Sequence, residues 1–511
     1  MVSATRRHSP IFADRQRDSP AEQSVAIGTS VSQFLRQYWR RILGISACVL
    51  VPCFWHANIE AGDLSSHTYN AWLAQLIESG HAPGLWLARQ STNVLFDLVL
   101  SRLGNLLGLR IAEKIVVAVA VLLFFWGAFA LVSAFARRLP WFVLFCLAMF
   151  AYGWTFESGL MNYYLSLGLS FWALAILLCG RGWQRVFAAA LVPLIWLAHP
   201  AGVAFVITAG AYIAVAEMLP PSRQLMLVAS AGLLLLFGRL YLASQYPVTE
   251  VGLPFYFYNG LDQLLLYGPQ YLLLAILLLA VAVGCLASCA TRRSNARELL
   301  AASRLPLQLY VITILAARLV PNDIYLPQYN LPLGAISARL TSVSAVLMCC
   351  VLGTTKPRKW VLAGFAAAAA VFFLFLFRDT GTLNRMEIQA QRYERTLPPG
   401  QRVITAMWRF PGSRIVDYHF ADRSCIGHCF SYGNYEPPTK AFRVRAYPGN
   451  PIVAADSKTS IAIGFGEYRV RPQDLPMFQI YPCGSHLAEL CMRELDSGET
   501  NGNDGLHPAV Q

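Results

Sequence analysis

Residues 114–135 read KIVVAVAVLLFFWGAFALVSAF and carry a single charge, on Lys114 at the start of the run. A stretch of about 20 apolar residues is what a helix needs to cross the hydrocarbon of a membrane. Similar runs recur along the chain, and together they predict a polytopic, all-α membrane domain with about eleven transmembrane helices. The predicted spans are residues 42–57, 114–135, 138–153, 160–179, 184–199, 201–218, 224–243, 264–289, 305–320, 333–353 and 359–377.

The composition agrees with this fold class. Of the 511 residues, 56% are hydrophobic and only 14% are charged, whereas a soluble globular protein carries about 25% charged residues. The net charge of +13 raises the question of nucleic-acid binding. Many of the basic residues, however, lie in the N-terminal tail or in the short basic loops between spans, where membrane topology explains them, so we expect membrane lipids and no nucleic acid as partners.

The basic residues also predict the orientation, because short cytoplasmic loops collect Lys and Arg. Seven arginines precede the first span, the loop after every second span is basic, and the alternate loops are acidic or neutral. We therefore predict a basic cytoplasmic tail over residues 1–40, disordered to about Ser32. Residues 41–377 form the membrane domain, and residues 378–511 form a domain on the exterior side.

The C-terminal domain shows a different pattern. Short apolar runs such as RVITAMW and SIAIGF, separated by Gly, Pro, Asn and Asp, are typical of strands and turns, so we predict a small β-rich or α+β domain. An even number of cysteines in it predicts disulfides, whose pairing stays open. A zinc site that includes His419 and His428 is the alternative, although the spacing matches no strong zinc pattern. The four cysteines are Cys425, Cys429, Cys483 and Cys491.

The first exterior loop, residues 58–112, is too long for a simple connection, and long loops in compact domains are commonly functional. Ser66 can cap a helix over residues 67–79, and a second helix is predicted over residues 92–107. Both helices are too short to cross the bilayer. We expect them to lie along the outer surface of the membrane.

Two carboxylates stand at the start of this loop, within about ten residues of the first span. A carboxylate next to a substrate hydroxyl can act as a general base. We predict Asp63 as the principal catalytic residue and Glu60 as the second candidate. The alternative is that both are solvated loop charges.

Three arginines fall inside predicted spans, where a charge is costly and therefore suggests function. Arg239, Arg318 and Arg339 are all expected in the outer half of the membrane. A guanidinium group offers paired donors and keeps its charge, so a group of them suits a phosphate at the outer leaflet. The alternative is that each side chain extends to the nearby interface.

Four more polar residues are expected to face the exterior side and are predicted to bind substrate. A structural role at a helix end is the alternative for each, and no residue pattern predicts a metal site. These residues are His199, Glu157, Asn162 and His67.

The chain has a basic cytoplasmic start and a first span followed by a long exterior loop, with the acidic residues Glu60 and Asp63 and the surface-helix segment SHTYNAWLAQLIESGHAPGLW. With many further spans and an exterior C-terminal domain, it resembles the GT-C superfamily of integral membrane glycosyltransferases. The segment YLPQYNLPLGAISARL, a late exterior loop that leads into a span with an arginine, is similar to another recurring element of that superfamily. The resemblance implies a multi-pass protein of the cell envelope, in a bacterial inner membrane, with its C-terminus in the periplasm.

What the resemblance implies for function is transfer of a sugar from a polyprenyl-phosphate carrier to a glycan, lipid or protein acceptor, with inversion. Asp63 would deprotonate the acceptor hydroxyl, and Arg318, Arg339 or Arg239 would hold the leaving phosphate. A divalent metal at the carboxylates stays open, and nothing in the sequence indicates one. A transporter or flippase of a lipid-linked or anionic substrate is the alternative, and an assembly protein of the envelope is the third hypothesis.

Overall fold

Long apolar helices dominate the chain in the computed structural model, as the recurrent apolar runs predict. The predicted tail up to residue 30 and the chain end after residue 502 lie outside the described residues. The structure describes residues 31–180, 182–250, 257–291, 293–406, 413–415, 419–483 and 489–502.

The described residues form seventeen α-helices. Those up to residue 394 are α1 (Val31–Leu50), α2 (Leu64–Glu78), α3 (Leu95–Leu107), α4 (Leu109–Ala136), α5 (Leu144–Ala151), α6 (Trp154–Glu157), α7 (Met161–Cys179), α8 (Trp183–Ala198), α9 (Pro200–Met218), α10 (Pro221–Gln245), α11 (Gln270–Cys289), α12 (Arg293–Leu319), α13 (Ile336–Gly353) and α14 (Lys359–Glu394). The last three are α15 (Phe420–Ser424), α16 (Glu436–Thr439) and α17 (Ser457–Phe465).

Eight helices of the described chain are long and apolar enough to cross a membrane: α4, α7, α9, α10, α11, α12, α13 and α14. Each matches a predicted span, and the set fits a multi-pass membrane protein. The other three predicted spans do not form a single helix of membrane length. Residues 42–57 cover the second half of α1 and a short turn, residues 138–153 are broken around α5, and α8 has only 16 residues.

The strands are few and short: β1 (Leu85–Leu87), β2 (Val248–Thr249), β3 (Asp323–Ile324), β4 (Arg402–Thr405), β5 (Phe430–Ser431), β6 (Val444–Ala446), β7 (Met477–Pro482) and β8 (Leu490–Leu495). In the C-terminal region β5, β4, β7 and β8 form one sheet in that order. β4 pairs in parallel with β5 and β7, whereas β7 and β8 are antiparallel. Helices and strands therefore alternate in this region, which has an α+β character.

Two predicted strands of the C-terminal region have different outcomes. RVITAMW begins with β4, as predicted, although residues 407 and 408 lie outside the described part. The prediction of a strand over SIAIGF is wrong, because these residues belong to α17. The side chain of Asp456 accepts the Thr459 N–H, and Gly466 follows the helix with φ +72°. These two caps favour a helix over the strand that the short apolar run indicates.

The cysteines of this region form two disulfides. Cys425 is bonded to Cys429, and Cys483 is bonded to Cys491. His428 donates from Nε2 to the Leu397 carbonyl over 2.8 Å. The disulfide alternative is therefore the one that the structure contains.

The two helices of the first long loop form, but α2 begins earlier than predicted. Asp63 is its N-cap residue, and Ser66 lies inside the helix with its side chain buried. The expected position along the membrane surface is wrong for α2, because most of the residues in its first three turns are buried. α2 is covered by the C-terminal region, which supplies the apolar contacts that a lipid surface was expected to supply.

Several contacts join the long loop to the C-terminal region. β1 pairs with β6 in an antiparallel ladder. The Ser431 N–H donates to the Tyr69 hydroxyl over 3.0 Å, and the Asn434 amide donates to Asn70 Oδ1 over 3.0 Å. The two segments therefore fold against each other. We call the end of the bundle that they cover the capped end.

A buried charge cluster fixes this assembly. Arg423 on α15 donates from Nη1 to Glu113 Oε1 over 2.9 Å and from Nε to Glu387 Oε1 over 2.8 Å. Its Nη2 lies 3.4 Å from Glu60 Oε2. The three carboxylates come from the long loop, from α4 and from α14, so one guanidinium group holds four segments together. Burial alone would lower the pKa of Arg423, but these carboxylates raise it well above its usual range.

We expect the substitution Arg423→Met to destabilise the protein by about 3–5 kcal/mol, because it leaves three carboxylates in a buried site without their cation. Thermal unfolding of the purified protein measures the effect. Arg392→Met, at an exposed position of α14, is the matched control and should change the unfolding temperature little. Equal unfolding temperatures for the two variants would contradict the role of the cluster.

Candidate functional site

The backbone of Asp63 is held by a close approach of two chain segments. Its N–H donates to the Ser158 carbonyl over 3.3 Å. Gly159 has φ +74°, and a Cβ atom there would lie 2.3 Å from the Asp63 nitrogen. A side chain at this position would therefore push Asp63 away, and glycine also suits the left-handed backbone. The loop before α7 thus sets the position of the predicted base.

The Asp63 carboxylate lies at the capped end and remains accessible. His419 Nε2 is 3.3 Å from Asp63 Oδ1, and the Tyr435 hydroxyl donates to Asp63 Oδ2 over 3.5 Å. The other ring nitrogen of His419 is 3.0 Å from Asp422 Oδ2. The side chain of Asp63 is 28% exposed, whereas that of Asp422 is 3% exposed. A hydroxyl group from outside the chain can therefore reach Asp63.

Glu60, the second predicted base, has a different environment. Its side chain is 4% exposed, pairs with Arg423 and accepts the Asn384 amide at Oε1 over 2.8 Å. These contacts occupy both carboxylate oxygens. They favour a structural role for Glu60 within the charge cluster.

Arg339 carries a guanidinium group with an unusual lack of partners. Its Nε atom is buried without a hydrogen-bond acceptor. No carboxylate of the described residues lies within ion-pair distance of it, although the charge of Asp63 acts on it through space. The guanidinium carbon lies 5.5 Å from the ring centre of Tyr163. A buried donor without an acceptor is costly, and an anionic ligand would supply the acceptor that the described chain does not provide.

His199 and Tyr163 form the support beneath Arg339. The Tyr163 hydroxyl donates to the Arg339 carbonyl over 2.8 Å. The ring of His199 meets the Tyr163 ring edge-on, with centres 5.4 Å apart. His199 Nδ1 also accepts the Ala201 N–H over 3.1 Å and so caps α9. The predicted binding residue His199 therefore holds the ring that lies under Arg339.

Arg239 and Arg318 lie at the same end of the bundle but have other contacts. Arg239 donates to the Leu319 carbonyl over 2.9 Å and pairs with Glu250. Arg318 is exposed and lies over the Tyr258 ring, at 4.7 Å from its centre. Among the described residues, neither forms a hydrogen bond or ion pair with Asp63 or Arg339. Of the three predicted arginines, Arg339 is the one on which the charge of Asp63 acts through space.

His67 and Asn162 belong to a polar network next to Asp63. Both side chains bind Asp97: His67 Nδ1 lies 2.6 Å from Oδ1, and the Asn162 amide donates to Oδ2 over 2.7 Å. Burial alone would lower the pKa of His67, but the Asp97 carboxylate raises it to about 9. The network therefore holds a protonated imidazole at neutral pH, one turn after Asp63 along α2.

Glu157 lies apart from this network. It is buried and accepts the Tyr267 hydroxyl at Oε2 over 2.7 Å. It lines a small pocket together with Glu60, His56 and Tyr152. Of the predicted substrate-binding residues, His67 and Asn162 thus lie in the network beside Asp63, Glu157 lies near Glu60, and Arg239 and Arg318 lie with neither.

The zinc alternative to disulfides receives little support from the described residues. Glu394, Cys425 and Cys429 have ligand atoms close together. The two sulfur atoms, however, are bonded to each other and are not available as thiolates. No cofactor follows from this arrangement.

Several site residues were not predicted from the sequence. Tyr435 and Glu436 lie more than 370 positions after Asp63 along the chain, and His419 was considered only as a zinc ligand. No spacing rule connects residues so far apart. Asp97 could have been predicted as a site residue, because it lies in the first turn of α3 and close to the predicted residue His67.

Comparison of the chain with models of protein families, with curated proteins and with solved structures finds no match.

The His67–Asp97 pair predicts a pH-dependent stability. The folded protein holds the His67 pKa at about 9, above the ordinary value of about 6.5 for an unfolded chain. The stabilisation is therefore complete below about pH 6.5 and is lost as the pH rises through about 9. We expect His67→Gln to cost on the order of 3 kcal/mol at about pH 6 and much less at about pH 10.

Thermal unfolding of both proteins across this pH range measures the difference. His81→Gln is the matched control, because the exposed His81 contacts only Ser79 through its side chain among the described residues. A His67→Gln deficit that is constant with pH would contradict an imidazolium in the folded protein.

Proposed function

We propose that the protein is a membrane glycosyltransferase that transfers a sugar from a polyprenyl-phosphate carrier to an acceptor at the capped end of the bundle. One observation carries this proposal: the accessible carboxylate of Asp63 acts through space on Arg339, whose buried Nε has no hydrogen-bond acceptor among the described residues. A base and a cation that can hold an anion are the two groups that such a transfer needs.

The proposed reaction assigns one task to each group. The Asp63 carboxylate takes the proton of the acceptor hydroxyl, and the acceptor oxygen attacks the anomeric carbon of the donor sugar with inversion. The bond between that carbon and the phosphate oxygen breaks, and the lipid phosphate leaves with the electron pair. Arg339 stabilises the charge on the leaving phosphate. His419, between Asp63 and Asp422, orients the base.

The finer architecture belongs to the same proposal. A GT-C-like membrane domain would count α1, the α5–α6 segment and α8 as crossings in addition to the eight long helices, which gives the predicted number of about eleven. With the N-terminus in the cytoplasm, the capped end would face the periplasm of a bacterial inner membrane. A lipid-linked donor would then reach Arg339 from the outer leaflet.

Transport of an anionic or lipid-linked substrate is the competing hypothesis. Arg339 also suits such a substrate. A transporter, however, gives no reason for an accessible carboxylate with two supporting side chains next to the cation. We therefore favour transfer, and the test below separates the two.

We expect Asp63→Asn to lower kcat by about 10²–10⁴-fold, which is the usual contribution of a general base. Arg339→Lys should raise the KM for the donor and lower kcat, because lysine lacks the paired donors of a guanidinium. The assay incubates the purified full-length protein with a panel of radiolabelled polyprenyl-phosphate sugars and an envelope glycan extract as acceptor. It measures label transferred to the acceptor.

The matched controls are Asp496→Asn and Arg392→Lys, both at exposed positions of the described chain. They should transfer at the wild-type rate. Transfer that is equal in wild type and Asp63→Asn would remove Asp63 from the mechanism. Absence of transfer with every donor, together with movement of a labelled donor across vesicles that contain the protein, would support transport instead.

A further inference from the structure

Asp422 is a buried carboxylate whose one ion-pair partner in the described chain is a histidine. Its side chain is 3% exposed, and its Oδ1 accepts the Ser431 hydroxyl. Its Oδ2 has no aligned hydrogen bond from any described residue, but His419 Nδ1 lies 3.0 Å from it, within ion-pair distance. Arg423, the next residue in the chain, pairs with three other carboxylates. The charge of Asp422 therefore has to be compensated by His419.

The protonation state of His419 follows from this pairing. A buried carboxylate is costly unless a positive charge and hydrogen bonds compensate it. A neutral imidazole with its proton on Nδ1 would supply a donor but no charge. An imidazolium supplies both, and its second N–H, at Nε2, then faces Asp63 Oδ1 over 3.3 Å. The two carboxylates, one on each side of the ring, both favour the charged form.

The other groups around this imidazole are neutral or acidic. The Tyr435 ring lies beside it, with centres 5.0 Å apart, and the charge of His419 acts through space on Glu436. Among the described residues, no arginine or lysine forms an ion pair with either carboxylate of the His419 pair. Arg339 interacts with Asp63 only through space. His419 is therefore the cation that directly contacts the proposed base.

The position of His419 is set by the fold of α15. His419 is the N-cap residue of this helix, and the Asp422 N–H donates to its carbonyl over 2.9 Å. The following residue, Arg423, anchors the same turn in the buried charge cluster. The imidazole is 8% exposed and is held from the C-terminal region, while Asp63 approaches it from the start of α2. The contact between them thus joins the two halves of the capped end.

We propose that His419 is a protonated positioning residue, an imidazolium that binds Asp63 by Oδ1 and directs Oδ2 to the acceptor hydroxyl. The Tyr435 hydroxyl contacts Oδ2 over 3.5 Å, a long contact that an incoming hydroxyl can replace. Loss of the proton from Nε2 would remove the donor that holds Oδ1. The role in transfer rests on the proposed function, whereas the charge of His419 can be measured without turnover.

The charge is tested by nitrogen NMR on the full-length protein in detergent, with ¹⁵N in its nine histidines. The signals that disappear in His419→Gln should come from a ring with both nitrogens protonated at neutral pH. In Asp422→Asn, which keeps the acceptor for Ser431, the same ring should lose its proton at a lower pH, because one of its two carboxylates is gone. This shift also identifies the His419 signals if His419→Gln does not fold.

His81→Gln is the matched control, because His81 is exposed and distant in sequence from the pair. It should leave the His419 signals unchanged, and unfolding temperatures show whether each variant is folded. A His419 ring with one protonated nitrogen at neutral pH would overturn the proposal. So would a titration of His419 that is the same in a folded Asp422→Asn as in the wild type.

The transfer assay separates positioning from a purely structural role. His419→Gln should lower kcat on the order of 10²-fold, the usual effect of a misplaced catalytic group. The KM for the donor should change little, because Arg339 is the residue proposed to hold the phosphate. The wild-type rate should be retained while His419 is protonated and fall at alkaline pH as the proton is lost. His419→Gln should lack this fall, whereas a structural defect would lower the rate equally at every pH.

The two proposals fail separately. If Asp63→Asn abolishes sugar transfer and His419 is neutral at neutral pH, the transferase proposal stands and the imidazolium is wrong. If His419 is an imidazolium that depends on Asp422 and no donor gives transfer, the ion pair stands. The proposed function and the positioning role that rests on it then both fall.

Discussion

The capped end depends on one buried guanidinium. Arg423 brings a positive charge into a site with the carboxylates of Glu60, Glu113 and Glu387, and each of these comes from a different segment of the chain. A buried charge without partners is far less stable than one that is paired and hydrogen-bonded. The long loop, α4, α14 and the C-terminal region therefore stabilise one another only when all four are in place.

The charge cluster around Arg423 also gives Glu60 and Asp63, which lie three positions apart in the sequence, different surroundings. Glu60 is fixed in the cluster, and Asp63 follows it by one short turn, at the point where Gly159 presses against the backbone. Anchoring the first carboxylate thus sets the position of the second while leaving it accessible. A base that must meet an incoming hydroxyl needs this combination of a fixed backbone and an open side chain.

The sequence predicts those parts of the structure that depend on local pattern. Eight long apolar runs become membrane-length helices, because length and apolarity alone are enough for such a helix. The pattern was misleading for SIAIGF, where a capping aspartate and a final glycine outweigh a short apolar run. It was silent on Arg423, whose carboxylate partners lie between 36 and 363 positions away. Long-range pairing of charges leaves no periodic signal, so the role of Glu60 needed the fold.

Arg423 and Arg339 are two arginines whose surroundings differ. Arg423 has three carboxylates and a pKa raised above its usual range, so it is satisfied within the protein. Arg339 lies over the Tyr163 ring, and its buried Nε has no hydrogen-bond acceptor among the described residues. A buried donor without an acceptor is costly, so an anion bound to Arg339 would remove a cost that the carboxylates already remove for Arg423. Because the charge of Asp63 acts on Arg339 through space, the proposed base and this unsatisfied donor share one electrostatic neighbourhood.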